Sequence, residues 1–162
     1  MQEKDNINWY AMKVFYNRTD VVKSRLEGRV VETYSQKVMP SLLFVRCSAV
    51  EILKIRRDEW ASTMVYSNPE TKMPSAIPEG QMAMFMLVTS SGDKGLEYLG
   101  EDKPEYHLGD RVRVISGILK GAEGHIKRIK KDRRLIVTIE GVAAIATSYI
   151  KPELLEKVTE TP

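Results

Sequence analysis

What this chain lacks narrows its chemistry first. Cys47 is the one cysteine among 162 residues, so no internal disulfide can form, and a reducing, cytoplasmic setting is the simplest expectation. Histidine is almost as scarce. His107 and His125 stand far apart with no cysteine pair beside them, so zinc-ligand spacing is missing. No apolar run approaches the roughly 20 residues that span a bilayer. The polar, acidic start at residues 1–6 does not read as a signal peptide. No serine lies in a Gly-x-Ser-x-Gly elbow. Gly117, Gly121 and Gly124 are not followed by the Gly-Lys-Ser/Thr of a phosphate loop. No carboxylate sits in an apolar setting that would tune it for proton transfer. These gaps point away from an enzyme, and neither a cofactor nor a metal is expected.

What is present is an ordinary apolar content of 43 %, enough to bury a core, and a net charge of +3. The length fits one domain or two small ones. The charge is unevenly spread. Between Arg111 and Arg134 stand nine basic residues against only Glu123 and Asp132. Such a stretch either keeps a hairpin solvated or meets RNA, DNA or an acidic protein surface. Residues 90–104 are rich in Gly, Ser and charge and lack an apolar period, which is linker composition. The expected organisation is a first domain at 1–90, a linker at 91–105 and a second domain at 106–162.

In the first domain, residues 8–16 read as a strand apolar on both faces. Trp9, Ala11 and Phe15 fall on one side, and Tyr10, Met12, Val14 and Tyr16 on the other. Thr19 is a candidate helix cap, Val22 and Leu26 lie one turn apart, and Gly28 can end that helix. Strands are expected at 30–34, 42–46 and 64–67. Ser48-Ala-Val-Glu51 is a capping box, predicting a helix from Ala49 to about Asp58. Cys47, at the end of a strand, reads as a buried core thiol. Pro78 opens a third helix whose Met82, Phe85, Met86 and Thr89 follow helical spacing and read as core. The order βαββαβα gives an α+β sandwich, with helices against an antiparallel sheet.

The second domain reads as strands throughout. Arg111-Val-Arg-Val114 alternates charge with apolar residues, 135–139 is strongly β-prone, and 142–147 continues after a turn at Gly141. Short strands with glycine corners predict a small barrel.

The stretch from Gly109 and Asp110 through Gly117, Ile118, Leu119 and Gly121 to Gly124-His-Ile126 resembles a KOW motif, with its G-D-x-V-x-V strand and G-x-x-x-G turn. Asn8-Trp-Tyr-Ala11, Met39-Pro-Ser-Leu-Leu-Phe-Val-Arg46 and Pro74-Ser-Ala-Ile-Pro78 resemble three successive segments of the NusG N-terminal (NGN) domain. The chain is therefore similar to NusG-type transcription elongation factors over nearly its whole length. Its departures from the housekeeping pattern look more like specialised paralogues such as RfaH and the UpxY capsule-operon antiterminators.

The resemblance implies a monomeric, non-membrane factor with an NGN domain and an SH3-like KOW barrel. It implies that an apolar patch on the NGN domain docks on the clamp helices of the largest subunit of bacterial RNA polymerase and suppresses pausing or termination on selected polysaccharide operons. Trp9, Tyr10, Leu42 and Phe44 stand at the matching positions. On this reading Phe44→Asp should abolish polymerase binding while the domain stays folded. Arg18, Lys23, Arg25, Lys54, Arg56 and Arg57 are candidates for contact with non-template DNA or nascent RNA, against the plainer reading of solvated helix faces. The KOW partner surface, which in relatives meets Rho or a small-subunit ribosomal protein, maps to Ile118-Leu119 and to Glu140-Gly-Val142. Glu140 and Val142 replace a common aromatic and arginine, which argues against Rho. A housekeeping NusG and a ribosome-associated KOW protein that binds RNA remain the alternatives.

Overall fold

A computed structural model of the chain describes residues 6–159. The rest of the start read above as no signal peptide, residues 1–5, lies outside the described residues. The chain forms two compact units, Met1–Glu79 and Gly80–Pro162.

The first unit carries β1 (Ile7–Val14), α1 (Thr19–Leu26), β2 (Glu32–Tyr34), β3 (Leu42–Ser48), α2 (Ala49–Asp58) and β4 (Thr63–Val65). Its strands form one antiparallel sheet in the order β2-β3-β1-β4. The helix-spaced pairs Val22/Leu26 and Ile52/Ile55 pack α1 and α2 onto one face of this sheet, against Tyr10, Met12, Val14, Leu43, Val45, Cys47 and Val65. With α3 (Glu79–Thr89) following Pro78, the order is βαββαβα, as the sequence predicts.

The capping predictions divide. Ser48 Oγ accepts from the Glu51 amide at 3.0 Å and α2 starts at Ala49, so this cap forms as expected. Thr19 does not cap α1. Arg18 holds the cap position without a side-chain bond, and the Thr19 hydroxyl instead donates to the Pro40 carbonyl at 2.6 Å. That long-range partner ties the helix start to the turn before β3, and nothing local in the sequence announces it. Gly28 follows α1 with φ of +81°, a left-handed conformation suited to glycine.

The second unit contains β5 (Glu97–Gly100), β6 (Arg111–Val114), β7 (Glu123–Ile129), β8 (Asp132–Ile139), β9 (Ala143–Tyr149) and β10 (Leu155–Lys157). They form an antiparallel sheet in the order β10-β6-β7-β8-β9-β5. Its core is built by Val114, Leu119, Ala122, Leu135, Ile136, Val137 and Ile139, with the alanines and Ile145 of β9. An α+β region followed by an all-β region is the expected fold class. The segment 91–105 contains more than linker. β5 pairs with β9, the Ser148 amide donates to Asp93 at 2.9 Å, and a Cβ on Gly95 would come within 2.5 Å of that of Ser148. Gly and Asp serve here for close backbone approach, a use that composition does not separate from flexibility.

The division between the units falls after the first residue of α3, so the rest of this helix belongs to the second unit. Gln81 Oε1 of this helix accepts from the Glu140 amide at 2.9 Å, and Met84 Sδ lies 3.2 Å from the Glu123 amide nitrogen. Met82, Phe85 and Thr89 are buried as expected. Val88 is buried too, while Met86 is only partly so.

Candidate functional site

Strand alternation and register decide which apolar residues can act together. β1 and β3 pair Tyr10 with Val45, Ala11 with Phe44, Lys13 with Leu42 and Trp9 with Arg46. Directly paired residues project to the same face. Tyr10 therefore belongs to the face under α1 and α2. Trp9, Leu42 and Phe44 lie on the opposite one, with Ala11 between them. One patch cannot hold all four, and Tyr10 leaves it as a core residue. Burial pushes the Tyr10 hydroxyl above its ordinary pKa, with a hydrogen bond from Asn8 opposing.

The remaining three form an apolar strip bordered by charge and soft side chains. Lys13 and the partly exposed Met64 pair at one margin. At the other, Arg46 Nη1 meets Glu32 Oε1 at 3.0 Å. Trp9 (4 %), Leu42 (1 %) and Phe44 (0 %) are all shielded from solvent. As described, the strip offers a partner only its margins.

The end of the same sheet is different. Tyr16 (80 %) and Trp60 (77 %) are the most exposed large hydrophobic side chains among the described residues, and Phe15 is also exposed. The Phe15 amide donates to the Ser62 carbonyl at 2.8 Å, which fastens the end of β1 to the turn carrying Trp60. Phe15 and Tyr16 rings stand 6.2 Å apart, and Lys13 Nζ lies 5.9 Å from the Phe15 ring centre. Tyr16 and Asn17 both adopt left-handed φ, at 60° and 55°. For a tyrosine that conformation is strained, and such strain clusters at functional loops. An open depression of about 600 Å³ lies here, lined by Tyr16, Arg18, Arg25, Asp58, Glu59, Ala61 and Ser62. By its alternation the sequence predicts Phe15 and Tyr16 within a strand and does not single out Trp60. The available signal was that Trp60 falls just beyond the buried stripe Ile52–Ile55–Glu59.

The six candidate nucleic-acid cations separate into two groups. Arg25 is committed to Glu59, with Nη2–Oε1 at 2.7 Å. Arg56 donates to the Lys72 carbonyl at 2.8 Å and so braces the loop before Pro74. Arg57 pairs with Asp58 at 3.0 Å. The Asp58 carboxyl is held below its ordinary pKa chiefly by Arg57, with help from Arg29. Arg18, Lys23 and Lys54 have no ion-pair partner among the described residues, and Arg18 lines the depression with Tyr16.

On the second unit, Gly109, Gly117 and Gly121 all have left-handed φ. The Gly109 carbonyl accepts from His125 Nδ1 at 3.0 Å, and Asp110 pairs with Lys157 at 3.2 Å. Gly124 is needed for another reason: a Cβ there would stand 2.0 Å from the Ile136 carbonyl oxygen. Of the expected partner surface Ile118, Glu140 and Gly141 are exposed. Leu119 and Val142 are core residues, because the turn that lifts Ile118 out folds Leu119 inward.

The turn at Gly141 is held from another side. The nearly buried Asp102 carboxylate accepts from His107 Nε2 at 2.8 Å and from the Gly141 amide at 3.0 Å. Burial, aided by the charge of Glu51, pushes the Cys47 thiol up to about 11, so it is an inert core group at neutral pH. Among the described residues no cluster of His, Cys, Asp or Glu could hold a metal, and no helix is long and apolar enough to cross a membrane.

Comparison with known proteins supplies the frame. A KOW motif is matched over residues 108–140. Large ribosomal subunit protein uL24 of Spiroplasma citri is 41 % identical over 51 residues, which is 32 % of this chain and 83 % of that protein. A structure of Thermotoga maritima NusG superposes with a TM-score of 0.50 and 16 % identity, covering 95 % of this chain and 98 % of that one. An MjSpt4:Spt5 complex covers 95 % of this chain and 99 % of its own at 12 % identity, with a TM-score of 0.37. The first of these structures extends the likeness of fold well beyond the KOW segment.

Proposed function

The chain belongs to the KOW-domain proteins, and we infer that it acts as a transcription elongation factor of the NusG type. What carries this reading is the joining of a KOW module to an α+β unit in a chain whose fold follows that of Thermotoga maritima NusG over 95 % of its length. A ribosomal KOW protein of the uL24 kind matches only a third of the chain and leaves the α+β unit without a purpose.

In this reading the NGN domain takes in residues 1–90, and its strip of Trp9, Leu42 and Phe44 faces the clamp helices of RNA polymerase. Docking then requires the strip to be uncovered, since all three are buried as described. The margins Lys13, Arg46 and Met64 make the first contact, and apolar burial supplies most of the affinity. The exposed aromatic end suits an unpaired nucleic-acid strand. Phe15, Tyr16 and Trp60 offer faces for stacking, and Arg18 and Lys13 offer charge to phosphates. Non-template DNA near the polymerase is the natural ligand, with nascent RNA as the alternative. A specialised antitermination role on polysaccharide operons, as in UpxY proteins, is the finer form of the proposal. It rests on the sequence resemblance and on Glu140, the exposed one of the two departures in the KOW partner segment.

The test is retention of purified bacterial RNA polymerase by the tagged full-length chain, run beside the Lys13→Glu/Arg46→Glu variant. Retention by the natural chain, weakened several-fold by the charge reversals, is the expected result. Retention of ribosomes in place of polymerase would favour a second reading, a ribosome-associated KOW protein, which the 41 % identity to uL24 motivates. Retention of neither would overturn both.

A further inference from the structure

The β7–β8 hairpin divides its charge between two faces. Its register pairs Lys127 with Arg134, Arg128 with Arg133 and Ile129 with Asp132. Alternation therefore puts Lys127, Asp132 and Arg134 on one face and Arg128 with Arg133 on the other. The first face is neutralised. Lys127 meets Glu105 at 3.2 Å, and Arg134 meets Glu97 at 3.1 Å and Asp132 at 4.0 Å. On the second face no carboxylate reaches Arg128 or Arg133 among the described residues, and both are exposed.

Two like charges directly across a strand pair repel each other and weaken the hairpin. The tip adds more of the same charge. Ile129 and Asp132 pair directly, so the connection is the two residues Lys130 and Lys131. In two-residue hairpins, positions with positive φ favour glycine or asparagine. Here Lys130 takes that position, with φ of +60°. Lys130 lies 3.8 Å from Glu97, whereas Lys131 has no ion-pair partner among the described residues. Among the described residues no carboxylate offsets the Arg128–Arg133 repulsion, and a polyanion would compensate that charge.

We propose that the Arg128–Lys131–Arg133 face of this hairpin binds the phosphate backbone of a nucleic acid. An acidic protein surface is the weaker match. The exposed residues at the tip are Arg128, Lys130, Lys131, Asp132 and Arg133, with no exposed apolar side chain among them. Protein interfaces need an apolar centre, whereas nucleic-acid interfaces are polar and strongly positive. Guanidinium forks suit phosphate oxygens. A two-stranded ribbon also has dimensions that let it lie along a strand or in a groove. This surface belongs to the second unit alone and needs no polymerase to act.

Fluorescence anisotropy of the full-length chain with labelled single-stranded RNA and with duplex DNA, between about 50 and 200 mM salt, tests the proposal. The Arg128→Gln/Arg133→Gln variant should bind at least about ten-fold more weakly, with the slope of log affinity against log salt shallower by about two. Lys127→Gln, on the neutralised face, should bind within about two-fold of the natural chain, because its charge is already met by Glu105. The double variant should melt no lower than the natural chain, since a repulsive pair has gone. If it loses its strand signal, Arg128→Gln and Arg133→Gln taken singly carry the test, each flattening the slope by about one. Which nucleic acid binds more tightly identifies the source of the phosphates. Unchanged affinity and slope in the variants, no binding of either nucleic acid at low salt, or displacement by polyglutamate as effective as by nucleic acid would each overturn the proposal.

Discussion

The rings of Tyr34 and Phe44 lie 6.3 Å apart, tilted by 45°, where β2 and β3 make them direct cross-strand neighbours. Phe44 is completely buried in this arrangement. A carboxylate at that position would be buried away from water, which is costly. Phe44→Asp is therefore expected to unfold the first unit, in place of the selective loss of polymerase binding that the family resemblance suggests. Even Phe44→Ala should cost about 3–5 kcal/mol. Thermal melts followed by circular dichroism decide the matter. A Phe44→Asp protein that melts at the natural temperature would mean the residue is far more accessible than its burial indicates.

The guanidinium of Arg25 also has a partner that settles its role. Nε contacts both oxygens of Glu59 at 3.1 Å, and Nη2 adds a third contact at 2.7 Å. Glu59 is buried, so removing Arg25 leaves a carboxylate unpaired at the junction of α1 and α2. Arg25→Ala should destabilise the first unit by about 1–3 kcal/mol. Arg18→Ala, with no ion pair to lose, should leave the melting temperature nearly unchanged and act instead on nucleic-acid affinity. Parallel denaturant titrations and binding assays separate the two. Equal stability losses from both variants would contradict this division.

These two cases show what the sequence could convey. Periodicity put Trp9 and Tyr10 on opposite faces of β1, and Ser48 announced α2 through a cap whose partner lies three residues away. Both are local signals. Whether Tyr10 groups with Phe44 depends on the β1–β3 register, which pairs residues as far apart as Ile7 and Ser48 and is set by packing under α1 and α2. The same limit hid the aromatic end. Phe15 and Tyr16 are fastened to the turn that carries Trp60 by the bond from the Phe15 amide to Ser62. Likewise, counting charge in the hairpin could not tell Arg128 from Lys127. Their difference is the distant Glu105.

Acid stability of the second unit should depend on Glu123. Burial alone would raise its pKa, but the guanidiniums of Arg111 and Arg113, both at 3.1 Å, outweigh that and hold the carboxyl below its ordinary 4.5. A carboxylate depressed in the folded state contributes stability that is present above the unfolded value and is lost as pH falls through the folded one. Unfolding free energy should then decline as pH drops below about 4.5, and Glu123→Gln should flatten that decline while lowering stability at neutral pH. Urea titrations across this range provide the measurement. An unchanged pH profile in the variant would show that the two arginines do not stabilise the ionised form.

Gly124 offers the sharpest steric test in the KOW unit. The Ile136 carbonyl oxygen lies where a Cβ would stand, at 2.0 Å, and the atom in the way is backbone. Alanine can be accommodated only if β7 moves away from β8, which disturbs the His125–Ile136 and Ile126–Leu135 pairs beside it. Gly124→Ala should therefore cost about 1–3 kcal/mol or more, the range of forced overpacking. Gly117 gives the contrast. Its φ of +89° strains any other residue, yet nothing lies within 4 Å of the position its Cβ would take. Gly117→Ala should cost only the conformational penalty of about 1–2 kcal/mol and leave the strand pairing intact. Hydrogen exchange distinguishes the two mechanisms. Protection of the β7 and β8 amides should fall in Gly124→Ala beyond what its global stability accounts for, and should fall in Gly117→Ala only in proportion to it. Uniform loss in both would place the role of Gly124 in its backbone freedom and not in the close approach of the strands.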